Sequence, residues 1–123
     1  RTEAVHISSN DKIVTDAPTD NNGKGEAFSP TDLVASALSS CILTVVGIVS
    51  KQINYDLTNT TSSVKKIMGD NPRRIIEIVV KIEFSKSADS KTKSIIEKTA
   101  LNCPVAKSLH PDIKQNISFT WPN

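Results

Sequence analysis

The stretch SPTDLVASALSSCILTVVGIVS, Ser29 to Ser50, constrains the fold more than any other part of this 123-residue chain. Ser29 suits a helix N-cap, Pro30 suits the first helical position, and Asp32 three residues on completes a capping box. Leu33, Val34, Ala37, Leu38, Ile42, Val45, Val46 and Val49 follow with apolar or small residues on nearly every side. A helix that is apolar all round is buried, so this one is expected at the centre of the molecule, ending at Lys51 and Gln52.

The flanking segments read as strands and turns. Arg1 to Ile7 and Lys12 to Thr15 bracket the turn signal SSND and make a hairpin. DAPTDNNGKGEAF, Asp16 to Phe28, is a surface loop with a short strand expected near Glu26 to Phe28, and loops of this length are often functional. Tyr55 to Met68 suits a strand with one wet face. The turn GDNP then leads to Arg73–Ser85, where Ile76, Ile78, Val80, Ile82 and Phe84 alternate with polar residues. Asp89 can cap a second helix, which Asn102, Cys103 and Pro104 interrupt. A short helix from Pro104 to Leu109 and a last strand from Ile113 to Trp121 complete the chain. Strands and helices do not alternate strictly, so the class is α+β. The length suits one domain, residues 1–123.

Composition removes several functions. Net charge is +2, with acids and bases mixed throughout, which lacks the basic stripe of a nucleic-acid surface. Aromatic residues are too few for a base-stacking platform. Ser36, Ser39, Ser40 and Thr44 break the longest apolar segment, so no membrane span is expected. No signal-peptide pattern opens the chain, and the start at Arg1 rather than methionine leads to the expectation that a few native residues precede it. The expected location is the cytoplasm.

Two cysteines remain, Cys41 and Cys103. They are too few for a disulfide-stapled scaffold and lack zinc-site spacing, so neither metal nor cofactor is expected. On composition alone Cys41 reads as a small hydrophobe on a buried helix. Cys103 precedes Pro104 at a helix start, where backbone N–H groups lower a thiol's pKa and make it more nucleophilic at neutral pH. Equally it could serve as a cap without chemistry. A cytoplasmic pair of thiols, one at a helix break, suggests a redox couple. Other features are weaker. His6 and His110 read as structural or solvent-facing, GKGEAFSP lacks phosphate-loop spacing, and Lys65, Lys66, Arg73 and Arg74 read as a solvated cluster. Trp121 reads as a core or subunit contact.

SPTDLVASALSSC together with NCPVAKSL downstream resembles the OsmC/Ohr family, named for osmotically inducible and organic hydroperoxide resistance proteins, in its less characterised OsmC-like branch. The resemblance implies an intertwined homodimer with a curved antiparallel sheet around long central helices and an active site at the subunit interface. It implies that Cys41 attacks an organic hydroperoxide, that Cys103 resolves the sulfenic acid to a disulfide, and that a dithiol of dihydrolipoyl type reduces it. It further implies that Arg1 favours the thiolate. The family's better-known enzymes hold that arginine with a glutamate directly after the proline. Here Thr31 follows Pro30 and Asp32 comes one later, leaving Asp32 or Glu26 as the expected partner. The alternative is a non-enzymatic dimer that binds a hydrophobic ligand or senses redox state. A third reading is a structural dimer with inert thiols.

Overall fold

A computed structural model describes all residues, Arg1 to Asn123. The chain clusters into two compact units, Arg1–Val34 and Ala35–Asn123.

In the first unit, β1 (Thr2–Val5) and β2 (Lys12–Thr15) pair antiparallel from Thr2↔Thr15 to Val5↔Lys12. His6 and Asn10 close the turn, with Asn10 in the left-handed region. The loop after β2 folds on itself: Asp16 N–H donates to the Phe28 carbonyl at 3.0 Å, and Phe28 bridges Thr15 in place of the expected short strand. Gly23 is obligatory there. A Cβ at that position would lie 1.7 Å from the Ala17 carbonyl oxygen. The capping box forms as expected: Ser29 N–H donates to Asp32 Oδ2 at 2.9 Å, and Asp32 N–H donates to Ser29 Oγ at 3.0 Å. It starts α1 (Pro30–Gln52).

In the second unit α1 ends where Asn54 turns left-handed and Tyr55 N–H reaches back to the Ser50 carbonyl at 2.8 Å. The strand expected from Tyr55 begins only at Thr61. Asp56 caps a turn through Thr58, and Asn59 is left-handed, so residues 55–60 cannot be extended. β3 (Thr61–Gly69) then pairs antiparallel with β4 (Arg74–Glu83) across a turn containing a cis Asn71–Pro72 bond.

The pairing jumps from Ile67↔Glu77 to Met68↔Ile75, so Ile76 is an extra, bulged residue. The alternation expected from Ile76 therefore breaks: Ile76 is exposed and Ile75 packs on the core. Asp89 caps α2 (Ser90–Ala100), accepting Thr92 N–H at 2.7 Å. α3 (Pro104–Ser108) and β5 (Lys114–Thr120) follow.

β5 runs parallel to β4, from Glu77↔Lys114 to Glu83↔Thr120, with α2 and α3 as the crossover that a parallel neighbour requires. The α+β class holds, while the expected antiparallel sheet is mixed, ordered β3-β4-β5. Leu38, Ile42 and Val46 of α1 share a core with Ile78, Val80 and Ile82 of β4 and with Ile96 and Ala100 of α2, each essentially without exposure. Burying each Leu, Ile or Val contributes roughly 1.5–3 kcal/mol. Trp121 joins this core as a stack on Phe84, with ring centres 3.7 Å apart, and donates to Glu97 Oε2.

Two expectations about α1 need correction. It is long and apolar enough to cross a membrane, because its serines and threonines interrupt the apolar run without making it polar. Nor is it buried on all sides: in the single chain Ile48 is 57% exposed, and Ala37, Ser40 and Thr44 are also exposed.

Candidate functional site

The chain places its two thiols in the second unit and its candidate cation in the first.

Cys41 sits on the flank of α1. Its neighbour Ile42 is fully buried, and at about 100° per residue Cys41 turns partly outward from that face. It is half-buried and packs against the edge of the core. Cys103 fills the break between α2 and α3. The residue before a proline is pushed to extended backbone, and Cys103 is extended at φ −71°, ψ 152°. That makes it the N-cap of α3, with Ala106 N–H donating to its Sγ at 3.4 Å. Its exposure is 0%. Both thiols are free and they interact directly.

Burial pushes the Cys103 thiol up from its ordinary pKa, and the adjacent Cys41 adds to the rise. The N–H groups of Ala106 and Val105 pull the other way without overcoming it. The expected lowering at the helix start is thus overturned: a five-residue helix offers too little to offset complete desolvation. Cys103 is a protonated thiol at neutral pH, held in place and shielded from solvent.

In the first unit Arg1 is gripped by Asp16, a residue the sequence reading passed over. Nε donates to Oδ1 at 3.0 Å and Nη2 to Oδ2 at 2.8 Å. Asp16 is 4% exposed and also accepts Glu26 N–H at 3.1 Å. Hydrogen bonding from Arg1 leads in holding the Asp16 carboxyl down at about 2, against the opposing effect of burial. Glu26, one of the two expected partners, meets Arg1 Nη2 at 3.4 Å. Asp32, the other, serves the capping box. Arg1, Asp16, Asn22, Lys24 and Glu26 line a cavity of about 460 Å³. The one signal for Asp16 was its place at the start of the polar loop. His6 bonds Ser9 in the hairpin turn, and His110 accepts Asp112 N–H at the turn before β5. No three His, Cys, Asp or Glu side chains converge as a metal site would require.

Comparison with known proteins gives a consistent family. The family model described as OsmC-like protein matches residues 23–118. A crystal structure from Psychrobacter arcticus 273-4, named for an osmotic stress induced and detoxification response, is 51% identical. The match covers 95% of this chain and 85% of that one, with a TM-score of 0.92. The organic hydroperoxide resistance protein OsmC of Legionella pneumophila shares the fold at 13% identity and TM-score 0.75, over 97% and 95% of the two chains. An OsmC like protein of Mycoplasma pneumoniae does so at 18% identity and TM-score 0.77, over 99% and 95%. No curated protein matches.

Proposed function

The chain belongs to the OsmC-like protein family, and from that premise we propose that it is a thiol-dependent organic hydroperoxide reductase. The observation that supports this reading most is the meeting of an accessible thiol, Cys41, with a buried, protonated one, Cys103. The name of the Legionella protein at the same fold accords with it.

Cys41, as thiolate, attacks a peroxide oxygen. The S–O bond forms, the O–O bond breaks, and the alkoxide leaves as an alcohol after taking a proton. Cys103 sulfur then attacks the Cys41 sulfenic acid, forming a disulfide and releasing water. A dithiol, of which the dihydrolipoyl group is an example, returns both cysteines to thiols, in a cytoplasmic setting that supplies such reductants. Burial suits Cys103 to this part, because a protonated, shielded thiol does not itself consume peroxide.

A homodimer accompanies the cycle. Ile48 on α1 and Leu101 after α2 are large apolar residues that the single chain leaves exposed, as are Val5, Ile13 and Val14 on the hairpin. Arg1 enters from the family resemblance as the cation that favours the thiolate; Asp32, expected there as its acidic partner, serves the capping box, and Asp16 and Glu26 hold Arg1 instead. Hydroperoxide kinetics of Arg1→Ala test that role.

The direct test adds cumene hydroperoxide to the reduced protein and follows thiol loss. Wild type should lose both thiols per peroxide, and Cys41→Ser should be inert. Equal, slow consumption by the two proteins removes the peroxidase reading. Ligand binding without catalysis and a structural dimer with inert thiols then remain, and native mass spectrometry of the purified protein, by showing or lacking a retained ligand, separates them.

A further inference from the structure

Asn22–Gly23 is the single Asn–Gly pair in the chain. Asparagine is a thermolabile residue, because the backbone nitrogen that follows it can attack its side-chain amide. Glycine in that following position makes the attack easiest, since it has no Cβ to obstruct the approach and the widest freedom of backbone rotation. Asn22 is exposed, so water and hydroxide reach it.

The closed loop opposes this reaction. Gly23 N–H donates to the Pro18 carbonyl at 3.0 Å, which retains the proton that the nucleophile must lose. Asn22 ends the short 3-10 helix Thr19–Asn21 in the left-handed region, at φ 64°, ψ 20°. At that ψ, Gly23 N lies on the far side of the Asn22 Cα–C bond from the side chain. The bond must turn before a ring can close, and the turn breaks the link to Pro18. Two more ties hold the loop: Gly25 N–H donates to the Ala17 carbonyl at 3.2 Å, and Glu26 N–H donates to Asp16, which grips Arg1.

We propose that Asn22 is a modification site gated by the 16–28 loop, where opening of the loop is converted into deamidation. With the loop open, the deprotonated Gly23 nitrogen attacks Asn22 Cγ. The new N–C bond forms, the Cγ–Nδ2 bond breaks, and Nδ2 leaves as ammonia with a proton from water. Water then opens the cyclic imide at either carbonyl and gives an aspartyl or an isoaspartyl residue. Either product adds a carboxylate to the cavity that Arg1, Asp16, Lys24 and Glu26 also line. The isoaspartyl product lengthens the main chain by a methylene, so the turn that held Gly23 on Pro18 cannot close as before. None of these steps involves the thiols, so the site stands whether or not the chain consumes hydroperoxide.

The experiment incubates the full chain in mildly alkaline buffer, both native and in urea. Deamidation is mapped by peptide mass, and isoaspartate is detected by enzymatic carboxyl methylation. In urea, Asn22 should react ahead of every other asparagine. In the native chain it should react at least about tenfold more slowly than in urea, because only the open fraction of loops is reactive. Asp16→Ala, folded by circular dichroism, should deamidate faster than native wild type, since the loop loses its tie at Glu26. Another asparagine leading in urea overturns the site. Equal native and urea rates overturn the gate, as does a folded Asp16→Ala that reacts at the wild-type rate. The native and urea arms use wild type alone, so they decide the gate even where Asp16→Ala does not fold.

Discussion

Asp16 holds Arg1 with both carboxylate oxygens, at 3.0 and 2.8 Å, while its own side chain is almost wholly removed from solvent. A planar guanidinium opposite a carboxylate is the geometry in which an ion pair is most directional. Because Asp16 also accepts Glu26 N–H, one buried carboxylate ties the start of the chain to both ends of the 16–28 loop.

The pH dependence follows from this pairing. The Asp16 carboxyl titrates at about 2 when folded and near 3.8 when free of its partners. A depressed folded pKa contributes stability that is complete above the free value and is lost as pH falls through the folded one. Asp16→Asn should therefore be less stable than wild type at pH 7, with the gap closing between about pH 4 and pH 2. Thermal unfolding at pH 7, 4 and 2 measures it, and a gap independent of pH would contradict the pairing.

Cys103 has a capping role apart from the redox role proposed for it. Cys103→Ser keeps an acceptor for Ala106 N–H, whereas Cys103→Ala removes it and leaves α3 uncapped. The alanine variant should be less stable than the serine variant by about 1 kcal/mol, the usual cost of losing an N-cap. Urea unfolding of the two variants compares them. With hydroperoxide, both should lose turnover and carry Cys41 on to sulfinic acid.

Ile48 tests the proposed dimer. At 57% exposure its replacement costs the single chain little. Ile48→Asp should leave circular dichroism unchanged and shift sedimentation from dimer to monomer. A wild-type protein that sediments as a monomer at every concentration removes the assembly.

Gly23 tests the loop. Gly23→Ala places a methyl against the Ala17 carbonyl, which is backbone and cannot step aside. The loop must open, and the Arg1–Asp16 pair should loosen with it. Faster amide exchange at Gly25 and Glu26, whose N–H groups donate to Ala17 and Asp16, reports the change.

What was legible in the sequence is what is local. Ser29 with Asp32, Asp89 with Thr92, and Cys103 before Pro104 are signals within three or four residues, and each forms the expected cap. That Cys41 and Cys103 meet is a matter of tertiary structure, which no local pattern could show. The failures have physical causes. Alternation through Ile76 read well until a bulge shifted its register. The parallel direction of β5 depends on a crossover with no signature in the strand itself. Asp16 was missed because its partner lies fifteen residues away. The Cys103 pKa went the wrong way because a helix start is visible in sequence and complete burial is not.

The parallel β5 strand also bears on how the two thiols are brought together. β3 and β4 meet across a short turn and can pair early, but β5 reaches β4 only after α2 and α3 have carried the chain back along the sheet. Contacts so distant in sequence form late. Cys103 lies within that returning segment and Cys41 on the helix that precedes the sheet. Cys41 and Cys103 lie far apart in sequence, so an unfolded chain carries two separate thiols and only the native topology makes them neighbours. The redox cycle proposed for the pair therefore requires the native topology.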